Sequence, residues 1–304
     1  MTDKKRKWLI IFFVLIPGAL ILSVAVPLIF QTLQPLPPVP PLPNPNGYDD
    51  LVKAGEMIST DIGNFEKMNL AELQYLVAAN AGALSLARAG LSNQCRATTQ
   101  FTTNYMDLDH HFVELSAIKN LARALVAEGK LAEMENHPGA AAKFYLEAFH
   151  LGNESARGGL LIDQLVGTAG EALGTRSLAV MVGQLDAPSC RETAAALETL
   201  DSQRQTWNEV MQQEAAWSRR TYPGLRDRFQ AMMMANSLKK VFEKAGEKFA
   251  AQQLKTRQLI VQLAAHGYEL DKGRPPANAA DLVPDYLKAI PQDPLIGTNV
   301  VYAP

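Results

Sequence analysis

His110 and His111, with Asp107, Asp109 and Glu114 around them, are the densest gathering of groups that could bind a metal or move a proton. On a helix His110 and Glu114 stand one turn apart and could share a ligand face. Adjacent histidines, however, point about 100° apart around a helix. The His-Glu-x-x-His pattern, which sets two imidazoles on one face, is missing. The cluster therefore reads as a solvated helix start. Glu128, Glu133 and Glu135 read as a wet helix face rather than an acid–base pair. The chain contains no Gly-x-Ser-x-Gly elbow, no phosphate-binding loop and no dinucleotide fingerprint. Met232-Met233-Met234 could be a soft, adaptable binding face, although core packing is the simpler reading. No catalytic residue, cofactor or metal site is expected.

Two cysteines, Cys95 and Cys190, are the remaining reactive groups. In an oxidising compartment they could pair and close a long loop, stabilising the fold by about 2–4 kcal/mol. They could equally be two unconnected thiols in small-residue sites. Geometry decides between these readings, and spacing alone does not supply it.

The elements that must carry these groups begin with Trp8 to Phe30, twenty-three residues without a charge. About twenty apolar residues suffice to cross a bilayer as a helix. Lys4-Lys5-Arg6-Lys7 precede the stretch and no charge follows it as far as Pro45. The positive-inside rule then keeps residues 1–7 in the cytoplasm and exports the rest. A cleaved signal peptide is the rival, with Ser23-Val24-Ala25 as its cutting site. The apolar run continues to Phe30, longer than a signal core of about 7–15 residues. The expected location is the cytoplasmic (inner) membrane, single-pass, with the body extracytoplasmic and the lipid bilayer contacted through residues 8–30.

Residues 31–46 form a spacer. Pro35 to Pro45 holds seven prolines in eleven residues. Such a run adopts polyproline II at roughly 3 Å per residue and would stand the body some 30 Å from the bilayer. The chain has 29 basic and 31 acidic residues. Setting aside Lys4, Lys5, Arg6, Lys7 and Asp3 leaves 25 against 30, a mildly acidic body. Nucleic acid, which needs a concentrated basic face, is not an expected partner.

Residues 47–265 read as a helical body. Asp49 and Asp50 open a short helix. Asn69 caps a helix over 70–91. Phe112, Leu115, Ile118, Leu121, Leu125 and Leu131 keep a helical period over 108–135. Asn136-His137-Pro138-Gly139 turns the chain into a helix over 140–151, the second arm of an antiparallel hairpin. Further helices are expected over 160–185, where Gly167, Gly170 and Gly174 suggest close packing against a neighbour, and over 190–216 and 225–265.

The hairpin resembles a tetratricopeptide repeat. Gly129 fits the small residue of that repeat's first helix, and Ala141, Tyr145 and Ala148 fit the Ala-aromatic-Ala pattern of its second. The resemblance implies an interaction hairpin. The chain departs from the pattern at Glu128, where the repeat carries a bulky residue, and in lacking an evident second copy.

Residues 266–304 carry a second resemblance. The stretch contains Tyr268, Leu270-Asp271-Lys272-Gly273-Arg274-Pro275-Pro276, Leu282-Val283-Pro284-Asp285-Tyr286-Leu287-Lys288-Ala289-Ile290-Pro291, Asp293-Pro294 and Val301-Tyr302. It is similar to the end of the major (G-type) pseudopilin of type II secretion. That likeness implies a short helix, a turn and a terminal strand or hairpin over Asn299 to Tyr302, a small α+β tail. In that family an acidic loop near the C-terminus can hold calcium; here only the scattered Asp271, Asp281, Asp285 and Asp293 are candidates. The prepilin-peptidase motif is absent from the N-terminus. The whole arrangement is similar to uncharacterised bacterial membrane-anchored proteins.

The expected fold is thus mostly α: one N-terminal transmembrane helix, an extracytoplasmic helical-hairpin body and a small α+β tail. The expected role is a non-enzymatic scaffold for an unknown protein partner in the cell envelope. The alternatives are a membrane-tethered hydrolase or an accessory to a pilin-like or secretion assembly.

Overall fold

The structure is a computed structural model describing Val26 and residues 35–36, 38–58, 62–99, 101–102 and 105–301. The fold is mostly α-helical. The expected membrane-spanning helix over 8–30 lies, Val26 apart, outside the described residues. Among the described residues no helix is long and apolar enough to cross a membrane. The expected C-terminal strand is corrected as well, because the described residues hold no strand. Gln292 and Asn299 meet in one isolated antiparallel bridge. The reason is local. Asp293 N donates to Thr298 O at 2.7 Å, Gly297 N donates to Asp293 O at 2.8 Å, and Gly297 sits at φ 71°. The loop therefore closes at once on itself, and Pro291 and Pro294 have no N–H with which to extend a ladder.

The chain divides into two compact units, Met1–Pro40 with Ala215–Lys240, and Pro41–Glu214 with Val241–Pro304. The second carries most of the helices. Helix α1, Gly47–Glu56, starts at Asn46, whose side chain accepts from Tyr48 N, and has Asp49 and Asp50 in its first turn. The helix expected over 70–91 is two, α2 (Leu70–Ala79) and α3 (Ala81–Leu91). Asn80 makes the break: its side-chain amide donates to Leu76 O at 2.8 Å, ending α2 from outside its own ladder. Asn69 and Glu72 form a capping box at the start of α2.

Helix α4 spans Tyr105–Met134. Asn136, at φ 58°, turns the chain, and Pro138 occupies the first position of α5, Pro138–Ala156. This helix runs past the expected end at Leu151, because Gly152 to Ala156 are all buried against a neighbour. That neighbour is α6, Leu161–Met181. A Cβ on Gly167 would stand 2.4 Å from Gly152 O, and one on Gly174 would stand 2.4 Å from Tyr145 O. The two helices thus meet backbone to backbone. The helix expected over 190–216 is also split, into α7 (Ala187–Ser202) and α8 (Trp207–Thr221). Thr206 caps the second: Thr206 N donates to Glu209 Oε2 at 2.7 Å, and Glu209 N donates to Thr206 Oγ1 at 3.3 Å. Helix α9, Leu225–Lys272, ends where Gly273 takes φ 68° and its N–H reaches Glu269 O.

Within the second unit α4, α5 and α6 pack side by side. Helix α1 lies against α3 and α4, α2 against α4, and α7 against α5. Leu121, Leu125, Phe149, Leu178, Met181 and Leu197 are buried in one core, joined by Leu259, Ile260 and Leu263 from the later part of α9. The fold so built leaves two inter-helix loops, 92–99 and 203–206, at the end of α5.

Candidate functional site

Gly129, Ala141, Tyr145 and Ala148 are all buried. A Cβ on Gly129 would stand 2.4 Å from Tyr145 Cε1, so the ring lies directly on bare backbone. Burial, reinforced by Glu133, pushes the Tyr145 phenol up and keeps it protonated. These four residues set the spacing of α4 and α5 and present no side chain to solvent. Cys95 and Cys190 are both buried free thiols. Cys95 lies 3.7 Å from Gly90 O and Asn93 O, whereas Cys190 faces Gly267 of α9. Burial pushes their thiols up, to about 12 and about 11, so neither is a poised nucleophile.

The histidine pair is not simply a wet helix start. His111 Nδ1 lies 3.0 Å from Glu114 Oε2 and its Nε2 lies 3.0 Å from Asp163 Oδ1 on α6. Tyr48 of α1 donates to the same Glu114 oxygen at 3.4 Å, and Asp163 also accepts from Leu160 N at 2.7 Å. A doubly protonated imidazole can donate to both carboxylates at once; a neutral one cannot. The hydrogen bond to Asp163, then that to Glu114, raises the His111 pKa to about 10. Both ring nitrogens are thereby committed, and among the described residues no three His, Cys, Asp or Glu side chains converge as metal ligands. The clamp ties α1, α4 and α6 together.

Its pH dependence follows. The folded pKa lies above the unfolded value of about 6.5. The clamp's stability is therefore complete below about 6.5 and is lost as pH rises through about 10. Between pH 7 and 8.5 the wild type should lose up to about 1.4 kcal/mol per pH unit relative to His111→Gln, read from urea unfolding at each pH. Parallel curves for the two proteins would remove the clamp.

The aspartates of the C-terminal segment do not converge. Asp271 pairs with Arg191 and accepts from Tyr286 OH at 2.9 Å. Asp281 accepts from Ala277 N at 2.7 Å, and Asp293 accepts from Leu295 N at 2.7 Å.

What spacing did not indicate is a polar cleft of about 750 Å³. The loop after α3 supplies Asn93, Gln94 and Arg96, the end of α5 supplies His150, Glu154 and Arg157, and the α7–α8 loop supplies Gln203 and Gln205. Its frame is held by hydrogen bonds. The Asn46 side chain accepts from Arg96 N at 2.9 Å and donates to Arg96 O at 3.0 Å. Ala97 N donates to Arg157 O at 2.8 Å, and Gly158 N donates to Gln205 Oε1 at 2.9 Å. The Arg157 guanidinium donates to both Glu154 carboxylate oxygens, at 3.0 and 2.5 Å, and to Gln203 O at 3.2 Å.

Between Gln203 and Gln205 the chain turns Arg204 inward. Its side chain is 3 % exposed and lies 2.7 Å from Glu171 Oε2 on α6, itself 4 % exposed. The approach lacks hydrogen-bonding geometry, and the guanidinium carbon stands over two aromatic faces, Phe149 at 5.8 Å and Phe249 at 5.3 Å. Burial pushes the Glu171 carboxyl up, to about 7, against the pull of Arg204. Asp201 joins the group and is held by Arg257 Nε at 2.8 Å. The cleft's outer wall is thus bolted to the core through a residue that points away from it.

The chemistry on offer is recognition. Glu154 and Arg157 neutralise each other, while Arg96 has no carboxylate partner among the described residues and leaves a spare positive charge. Burial pushes the His150 imidazole down, so it stands neutral with one donor and one acceptor. The Ser92 hydroxyl donates to Ala89 O at 2.7 Å, and the Cys95 thiol is protonated. Neither is an activated nucleophile. The amides of Gln94 and Gln203 suit a peptide main chain, and Arg96 suits a carboxylate.

No protein-family model, no curated protein and no solved structure matches the chain.

Proposed function

We propose that this protein is a non-enzymatic binding module, held at the cytoplasmic membrane through residues 8–30 with its helical body outside the cytoplasm, that receives a segment of an envelope protein in the polar cleft. The observation that supports this reading is the lining itself. It combines an arginine without a carboxylate partner among the described residues, a neutral histidine and two glutamine amides on a hydrogen-bonded frame, without an activated nucleophile or a matched acid and base. Recognition of main chain and carboxylate uses such groups; hydrolysis needs a nucleophile or a polarised water.

In-cell crosslinking of the full-length chain tests it. Wild-type protein should give a discrete adduct with one envelope protein. Arg96→Glu reverses the spare charge and should lower the yield about tenfold, with the unfolding midpoint unchanged, as for loss of a charge-assisted contact. An adduct of equal yield in Arg96→Glu, or none from abundant folded protein, contradicts the reading.

A further inference from the structure

Residues 215–240 belong to the first compact unit. Its internal segment differs in charge from the rest of the chain. Arg219, Arg220, Arg226, Arg228, Lys239 and Lys240 stand against Asp227 alone, a net charge of +5 in a chain whose total is −2. It also differs in what it exposes. Phe229 and Met233, one helical turn apart in α9, are 45 % and 54 % exposed. Arg226, about 60° around the helix from Phe229, is exposed beside them. Just upstream Trp217 and Tyr222 meet edge to face at 6.3 Å. Exposed Arg226, Lys239 and Lys240 on the same helix as an exposed aromatic and thioether face match the chemistry of an anionic bilayer surface: cations at the headgroups, apolar side chains below them.

We propose that residues 215–240 form an interfacial membrane contact, with Phe229 and Met233 entering the headgroup region of an anionic leaflet and exposed Arg226, Lys239 and Lys240 engaging lipid phosphates. This rests on the reading that residues 8–30 hold the chain at the bilayer. Two observations favour a bilayer over a protein groove. The charge is complementary to anionic lipid, and the exposed apolar residues Phe229, Met233 and Leu238 lie within that same basic segment. The contact would hold the start of α9 at the membrane surface.

The test uses the full-length chain reconstituted in vesicles of phosphatidylcholine, with or without phosphatidylglycerol. An environment-sensitive fluorophore is attached at Met233→Cys, and at Tyr75→Cys as a control; native Cys95 and Cys190 are buried. Flotation with the vesicles reports separately whether the chain is held at the membrane at all. The label at 233 should shift to the blue and be quenched by nitroxide lipids in the anionic vesicles, far more than in neutral ones. Arg226→Glu with Lys240→Glu should weaken the quenching, about fivefold for each basic residue lost from the surface. The label at 75 should remain in water. A label at 233 that floats with vesicles but is never quenched overturns the proposal, as does a blue shift without quenching, which would place the face against protein. Equal quenching in neutral and anionic vesicles also overturns it.

Discussion

At pH 9, above the Glu171 pKa of about 7, Arg204→Met should destabilise the second unit by about 3 kcal/mol, because it leaves a buried carboxylate without its counter-charge. Glu171 is 4 % exposed, and its nearest cation is the Arg204 guanidinium at 2.7 Å. With that cation gone Glu171 must take up a proton or draw in water, and either costs stability. A double variant tests whether the charges themselves are needed. Arg204→Met with Glu171→Leu removes both and keeps apolar bulk between Phe149 and Phe249. Replacing a buried pair in this way is often neutral or better. The double variant should therefore recover most of the single variant's loss in urea unfolding. If the double is as unstable as the sum of the singles, the pair is not coupled and this description of the core is wrong. The same substitutions separate stability from binding, since Arg204 anchors the loop that carries Gln203 and Gln205.

Gly152→Ala and Gly167→Ala should each cost about 2–3 kcal/mol, opposite in sign to the usual effect of glycine removal from a helix. At an exposed helical site alanine gains about 1 kcal/mol over glycine. Here a Cβ on Gly152 would lie 2.4 Å from Gly167 O and 2.6 Å from Glu171 N. Backbone cannot rotate aside as a side chain can, so α5 and α6 would have to separate, and overpacking of this kind outweighs the propensity gain. Gly183 is the control: it is exposed, nothing lies within 4 Å of its Cβ position, and Gly183→Ala should not destabilise and should gain up to about 1 kcal/mol. Because Gly152 touches Glu171, Gly152→Ala should also be non-additive with Arg204→Met, whereas changes at separated sites add. Thermal or urea unfolding of the set decides the matter; a stabilised Gly167→Ala would mean that the helices are not in backbone contact.

Much of the helix order can be read from local pattern, because an amphipathic period and caps are local. Asn69, Pro138 and Gly273 mark ends where the chain needs a side-chain acceptor, a missing donor and a left-handed residue. The errors are also local in origin. Asn80 interrupts an otherwise continuous apolar pattern because its amide competes for Leu76 O, and small apolar neighbours conceal it. The C-terminal segment suggested a strand through Val300 and Val301, but prolines on the facing arm deny it a ladder. The cleft lies beyond such reading. Arg96, His150 and Gln205 come from three loops or helix ends brought together by tertiary packing, and no fixed spacing encodes that. Arg204 reads as one more polar loop residue between two glutamines; only the fold turns it inward onto Glu171. His111 was visible as chemistry, but its partner Asp163 belongs to another helix, so a clamp looked like a solvated pair.

If the cleft is where a partner docks, crosslinks should form there and not elsewhere on the body. The most direct measurement places a photo-crosslinking residue at Gln203, on the cleft wall, and at exposed Lys119 on α4 outside it, in full-length protein in native membranes. Position 203 should give one discrete adduct, reduced about tenfold by Arg96→Glu, and position 119 none of that mass. Equal adducts from both positions, or an adduct from 203 that survives Arg96→Glu undiminished, would contradict docking in the cleft.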